Sequence, residues 1–200
     1  PDEVARAIDA VGVGFMFAPV HHSAMRHAIG PRRELGMRTV FNILGPLTNP
    51  AGVKRQVIGV YSAHLCQPMA EVLKMLGSEH AMIVHSDDGL DEISIAGGTQ
   101  VTELRDGSIE SYRICPEDFA LQPQSLDGLS VSSATQSASL IRRALAGADD
   151  EAAKKAAAML ALNAGATIYV SGIAATLADG VAMAEDALAS HLAEEKLKQF

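Results

Sequence analysis

Along the chain the spacing of apolar and polar positions shifts from period-two alternation to helical periodicity, which divides the sequence into strands and helices. Val11 to Phe17 alternates valine, glycine and aromatic residues, predicting a short strand whose glycines permit close approach by a neighbouring backbone. Gln56 to Tyr61 is a second strand, rich in β-branched residues. Leu65 to Leu76 has helical spacing with Gly77 as its stop, and Ala81 to His85 is the next strand. Strand, helix, strand predicts a parallel pair joined by a crossover. Gln100 to Arg105 and Ser108 to Ile114 alternate on either side of Asp106-Gly107, a dipeptide suited to a two-residue hairpin turn, so an antiparallel ribbon extends the sheet. From Ser133 onward the spacing is helical: Ala134 to Ala146 capped by Ser132 or Ser133, Glu151 to Ala164, then Val170 to Leu197 interrupted at Gly172 and Gly180. The fold class is therefore α/β, a mixed, partly parallel sheet with flanking helices. No internal repeat or low-complexity linker marks a boundary, so residues 1–200 read as a single α/β domain.

At 48% hydrophobic residues the chain has the side chains for a substantial core, which excludes a disordered protein. No apolar run approaches the ~20 residues of a membrane-spanning helix and no signal-peptide pattern precedes Val11 to Phe17, so no membrane partner is expected. Cys66 and Cys115 fall in a helix and at a strand end, which argues against a disulfide framework and for a cytoplasmic protein with buried thiols. A formal net charge of -8 disfavours nucleic acid, whose phosphates need an extended basic surface.

The positive charge is concentrated. Arg26, Arg32, Arg33 and Arg38 fall with His21, His22 and His27 inside eighteen residues of the stretch Phe17 to Pro50. Arginine presents a planar fork of donors that matches carboxylate or phosphate, so the cluster suits a small anion. A solvated helix face carrying exposed ion pairs is the alternative. Gly30-Pro31 predicts a helical turn stopped by Gly36, which puts Arg32 near a helix N-terminus, where amide donors and the helix dipole reinforce anion binding. Thr39 caps a second turn through Asn42, broken by Gly45-Pro46 and Asn49-Pro50.

An acidic feature follows. His85-Ser-Asp-Asp-Gly-Leu-Asp-Glu92 puts four carboxylates just past the strand Ala81 to His85, at the edge where open α/β sheets bind ligands. Asp91 and Glu92 are hard oxygen donors suited to magnesium, which takes one or two carboxylates and completes its shell with water and substrate phosphate. The spacing does not fit a calcium-binding helix-loop-helix, and an exposed acidic turn is the plainer alternative. An arginine patch and a carboxylate pair in one domain match a magnesium-complexed phosphate substrate and a separate organic anion. Gly12 and Gly14 form G-x-G without the rest of a dinucleotide fingerprint, and His64, His80 and His191 have no metal-ligand spacing. No nucleophile motif occurs, so no catalytic side chain is assigned.

FAPVHHSAM, the segment Arg32-x-x-Leu-Gly-x-Arg-Thr-x-Phe-Asn42, the loop Leu44-Gly-Pro-Leu-x-Asn-Pro50 and the Asp91-Glu92 pair occur in this order. Together they resemble the motifs of the anthranilate phosphoribosyltransferases of tryptophan biosynthesis, over essentially the whole chain. The resemblance implies the larger domain of the nucleoside phosphorylase/phosphoribosyltransferase-like fold. It also implies an enzyme that joins anthranilate to phosphoribosyl pyrophosphate with magnesium, releasing pyrophosphate. By resemblance Arg32 holds the anthranilate carboxylate, His22, Ala18, Gly45 and Pro46 line the channel for the aromatic acid, and Asp91 and Glu92 bind a magnesium ion.

The family's glycine-rich G-T-G-G-D phosphate loop, its K-H-G-N segment and its small helical domain do not occur in these residues. The resemblance places them before Pro1. It implies that the chain is the carboxy-terminal part of the larger domain, catalytically incompetent by itself, from a parent that forms a homodimer. Ser23 stands where many relatives carry proline, a tolerated loop change. The competing readings are a noncatalytic relative of the same fold, an inert fragment and a pyrimidine nucleoside phosphorylase.

Overall fold

The computed structural model describes residues 2–17, 21, 30, 34 and 41–200. The chain divides into two compact units, Pro1–Val53 with Lys196–Phe200, and Lys54–Glu195.

In the first unit, helix α1 spans Asp2–Val11, with Asp2 and Glu3 in its first turn, where acidic side chains oppose the positive end of the helix dipole. Gly12 ends it with φ +85° and an N–H donated to the Ile8 carbonyl at 2.8 Å, the left-handed stop that glycine adopts without strain. The predicted strand Val11 to Phe17 does not form. Val11 completes α1, and residues 13–17 join no ladder among the described residues. Alternation yields a strand only where a partner takes up its backbone groups; here Gly14 lies so close to α1 that a Cβ would sit 2.8 Å from Val4 and Ile8 side-chain carbons. The Phe15 and Phe17 rings stack with centroids 6.3 Å apart.

Helix α2 spans Phe41–Leu47 and contains Gly45 and Pro46, the dipeptide expected to break it. Proline removes a donor and clashes with the carbonyl four residues back, yet in the last turn both effects fall where the helix is ending anyway. Thr48 completes the stop, its hydroxyl donating to the carbonyls of Leu44 at 3.0 Å and Gly45 at 3.2 Å. The predicted turn from Gly30-Pro31 to Gly36 and the Thr39 cap lie largely outside the described residues; Gly30 and Glu34 are helical.

The second unit is built on a four-stranded sheet in the order β1-β2-β3-β4: Arg55–Gly59, His80–Ser86, Thr99–Arg105 and Ser108–Ile114. β1 and β2 are parallel, the others antiparallel, in agreement with the mixed, partly parallel sheet read from the sequence. The crossover between β1 and β2 is a 3-10 turn, Ala63–Leu65, running into helix α3, Cys66–Met75, which ends before Gly77 at φ +78°. The β3–β4 turn uses Asp106 at φ +50° and Gly107 at φ +79°, both in the left-handed region that a tight hairpin requires.

β2 is buried along nearly its whole length, so its apolar run serves two faces at once. Met82 and Val84 join a core with Val101, Leu162, Ala166 and Val170, while Ala81 and Ile83 point the other way, where α3 packs. At the edge, β4 alternates outward polar residues, which blunts its open backbone row.

The helical third begins with α4, Ala134–Leu145, where Ser133 Oγ accepts the Gln136 N–H at 3.2 Å. α5 runs Glu151–Ser171, α6 Leu177–Ala189 and α7 Leu192–Gln199. α5 therefore continues seven residues past the predicted end at Ala164, and the Val170 to Leu197 helix is instead the end of α5, then α6 and α7. Gly172, at φ +87°, is the true stop; Gly180 interrupts nothing and lies inside α6. Its role is contact: a Cβ on Gly180 would sit 2.3 Å from the Gly165 carbonyl oxygen, and one on Gly165 would sit 2.6 Å from Val181 Cα. The two helices cross backbone on backbone, which only glycine permits.

Candidate functional site

The strand β2 delivers the acidic turn. Ser86 ends the strand, and the chain doubles back through Gly89, whose φ of +89° needs glycine, with the Gly89 N–H donated to the Ser86 carbonyl at 3.0 Å. His85 fixes the strand end sideways, since its Nδ1 lies 2.8 Å from the Val60 carbonyl, which can only accept. The loop then passes the carboxyl end of β1 so closely that a Cβ on Gly59 would sit 1.6 Å from the Asp91 carbonyl oxygen. Asp91 and Glu92 are thereby placed at the carboxyl edge of the parallel strand pair, the edge at which such sheets bind ligands.

The four carboxylates read as one group from the sequence separate into two kinds. Asp87 is held by both terminal guanidinium nitrogens of Arg113 from β4, one at 2.8 Å. Asp88 accepts from the hydroxyls of Ser86 and Ser94 and from the Leu90 N–H at 3.2 Å. Burial alone would raise the Asp88 carboxyl; these hydrogen bonds outweigh it and hold the group below its ordinary value. Asp91 and Glu92 have no hydrogen-bond or ion-pair partner among the described residues, and both are exposed. Burial of part of the Glu92 side chain, followed by the adjacent Asp91 charge, pushes the Glu92 carboxyl upward. Glu92 lines a cleft of about 420 Å³ beside Leu90, Leu126, Leu129, Leu140 and Met159.

Two adjacent like charges with no counter-charge among the described residues favour a bound cation. Among the described residues no group of three or more histidine, cysteine or acidic side chains is placed to hold a metal ion, and what Asp91 and Glu92 themselves offer a cation is two carboxylates. That set fits magnesium, which accepts one or two carboxylates and completes its octahedron with water and phosphate.

The remaining predicted positions are placed unevenly. Gly45 and Pro46 lie in α2 of the first unit, and Asp91 and Glu92 in the second. Ala18, His22 and Arg32 lie outside the described residues. His21, beside them in sequence, lies 3.1 Å through Nδ1 from the Phe17 carbonyl. Cys66 is buried, which raises its thiol above the ordinary value, whereas Cys115, expected to be buried too, is partly exposed.

Sequence reasoning missed the side chains that hold the acidic loop. Asn163, in the middle of α5, accepts the Ile93 N–H at 3.0 Å and donates to the Ile93 carbonyl at 2.9 Å. Its only sequence signal is a polar residue directly after Leu162 on the buried stripe of an alanine-rich helix. His80, which has no metal-ligand spacing in the sequence, is structural: at the far end of β2 it contacts Glu103 at 2.7 Å, and Glu103 also accepts from the Tyr112 hydroxyl at 2.7 Å and the Tyr169 hydroxyl at 2.8 Å.

The family model described as glycosyl transferase family, a/b domain, matches residues 1–194. The chain belongs to this family. The resemblance drawn from the ordered motifs is borne out by its relatives. A curated anthranilate phosphoribosyltransferase from Saccharophagus degradans is 63% identical over 199 residues, covering 100% of this chain and 58% of the relative. The crystal structure of the anthranilate phosphoribosyltransferase from Thermus thermophilus superposes with a TM-score of 0.87 at 42% identity, over 98% of this chain and 57% of that one. The Saccharomyces cerevisiae anthranilate phosphoribosyltransferase in complex with PRPP and Mg matches at TM-score 0.79 and 28% identity, over 94% and 53% of the two chains. The same yeast protein with 4-fluoroanthranilate matches at 0.82 and 25%, over 98% and 57%. The chain thus spans a little over half the length of the family members it matches.

Among the described residues no helix is long and apolar enough to cross a membrane.

Proposed function

We propose that the protein carrying this chain transfers the phosphoribosyl group of phosphoribosyl pyrophosphate to anthranilate, giving N-(5-phosphoribosyl)anthranilate and pyrophosphate, in tryptophan biosynthesis. We read residues 1–200 as part of its catalytic α/β domain. The observation that carries the reading is the division among the carboxylates: Asp87 and Asp88 are engaged by Arg113 and by serine hydroxyls, while Asp91 and Glu92 stand without a described partner at the sheet edge. Asp91 and Glu92 would hold magnesium, which when bound stabilises the charge that grows on the departing pyrophosphate.

Arg32 holds the anthranilate carboxylate, and Ala18, His22, Gly45 and Pro46 border the aromatic acid. The amine of anthranilate is an aniline, neutral near pH 7, so its lone pair is available without prior removal of a proton. The nitrogen bonds to the anomeric carbon, the bond from that carbon to the pyrophosphate oxygen breaks with its electron pair, and the surplus proton on nitrogen passes to solvent. Such a reaction needs orientation of the two substrates more than a strong base, which accords with a site that offers positioning groups and charge. The carboxylate-to-guanidinium contact supplies that orientation, because a planar fork fixes the acid in one plane. The full-length protein is read as a homodimer in the cytoplasm.

The test is substitution in the full-length protein. Arg32→Ala raises the KM for anthranilate at least tenfold with a smaller change in the KM for phosphoribosyl pyrophosphate. Asp91→Asn with Glu92→Gln raises the magnesium concentration needed for half-maximal turnover. Normal constants in the first variant remove the anthranilate assignment, and a normal magnesium response in the second removes the metal assignment.

A further inference from the structure

The residue after the acidic pair is gripped by a side chain from a distant helix. Asn163 Oδ1 accepts the Ile93 N–H at 3.0 Å, and its Nδ2 donates to the Ile93 carbonyl at 2.9 Å. The same Nδ2 donates to the Met159 carbonyl one turn back in α5, at 3.0 Å, which fixes the carboxamide plane. A carboxamide used in this way imitates the paired exchange of an antiparallel ladder and accepts its partner in one orientation only. The peptide plane whose N–H it holds is the one that joins Glu92 to Ile93. The side chain of Ile93 is 2% exposed and enters the core, so the residue is held through both backbone and side chain.

On the other side of the pair the constraint is steric: the Asp91 carbonyl fills the space where Gly59 has no Cβ. Asp91 and Glu92 therefore lie between two pins, one from the sheet and one from α5. Asparagine is a poor residue for a helix interior, because its side chain competes for backbone groups. Here two of its three bonds go to the acidic loop, and one to the Met159 carbonyl of its own helix.

We propose that Asn163 is a positioning residue for the Asp91 and Glu92 carboxylates, setting through Ile93 the spacing and direction at which they meet a divalent cation. The proposal rests on the reading that this pair holds magnesium. Partners behind metal ligands typically change metal affinity by 10–100-fold when removed.

The experiment uses the full-length protein and Mn²⁺ alone as the probe, with binding followed by loss of the electron paramagnetic resonance signal of free Mn²⁺. Turnover is measured against Mg²⁺ in parallel. Asn163→Ala weakens Mn²⁺ binding roughly tenfold and raises the Mg²⁺ required for half-maximal turnover by a similar factor, with kcat at saturating Mg²⁺ within about twofold of the parent. Asn163→Ser, whose hydroxyl cannot reach both groups of Ile93, shifts both quantities the same way and serves if the alanine variant does not fold. Val170→Ala, a cavity in the same helix, moves neither. Unchanged Mn²⁺ affinity in a folded Asn163 variant overturns the proposal, as does an equal shift in Val170→Ala. If Asp91→Asn with Glu92→Gln leaves Mn²⁺ binding intact, the metal reading itself fails, and the positioning role falls with it.

Discussion

Gly59 and Asp91 occupy each other's space: a Cβ on the glycine would sit 1.6 Å from the Asp91 carbonyl oxygen and 2.5 Å from its carbonyl carbon. The obstacle is backbone, not a flexible side-chain tip, so Gly59→Ala must displace the acidic loop or the end of β1. Overpacking of this kind costs about 1–3 kcal/mol. The variant is expected to unfold at lower denaturant concentration and, in the full-length protein, to need more magnesium. Equal denaturant midpoints for variant and parent would contradict the contact.

The crossing of α5 over α6 makes a prediction remote from the site. Gly180→Ala drives a methyl group against the Gly165 carbonyl, 2.3 Å from its oxygen, and cannot be relieved by a rotamer change. A loss of about 1–3 kcal/mol is expected, which lowers Tm by about 2–4 °C for each kcal/mol in a domain of this size. Thermal unfolding followed by circular dichroism measures it. In the full-length protein, turnover at low temperature should be retained, because neither helix face at the crossing carries a proposed substrate contact.

The buried carboxylate of Glu103 gives a pH dependence. Burial favours its neutral form, but hydrogen bonds from the Tyr112 and Tyr169 hydroxyls and from His80 outweigh burial and hold the carboxyl below its ordinary value. The folded state therefore binds the proton less readily than the unfolded chain. The resulting stability is fully present above the unfolded value of about 4.3 and is lost as pH falls through the lower folded value. Tyr112→Phe removes one donor at 2.7 Å, costs about 1–3 kcal/mol at neutral pH and moves the acid-unfolding limb to higher pH. Denaturant midpoints recorded from pH 3 to pH 7 test this; an unmoved acid limb would show that the network does not tune Glu103.

Asp87 and Asp88 differ in what they contribute. The Arg113–Asp87 pair has about half of each side chain in solvent, so Arg113→Ala should cost no more than about 1 kcal/mol. Asp88→Ala removes the acceptor for two serine hydroxyls and the Leu90 amide, and is expected to cost about 1–3 kcal/mol through unpaired groups in the loop. Urea unfolding of the two variants side by side decides the order, and the reverse order would contradict it.

Much of the architecture is legible in local chemistry. Asp106-Gly107 can form little other than a hairpin turn between alternating segments, and Gly77 after an amphipathic run stops a helix wherever that run packs. Errors arise where a local signal has more than one outcome. The alternation of Val11 to Phe17 names a strand only if a partner strand is present, and Gly45-Pro46 breaks a helix only if the helix would otherwise continue. Gly180 reads as an interruption because glycine costs helix stability; the compensating gain, close approach to Gly165, belongs to a neighbouring helix.

By itself the sequence determined the mixed sheet, its parallel pair and the presence of an acidic turn just past the second strand of that pair, because turns, caps and periodicity act over a few residues. It also carried the ordered motifs that identify the family. Only the tertiary structure decided which acids are engaged, by bringing Arg113 to Asp87 across 26 residues, and what holds the loop, by bringing Asn163 to Ile93 across 70. A carboxylate's freedom to bind a cation depends on which donors fold against it, and those donors reach the loop only when strands and helices pack.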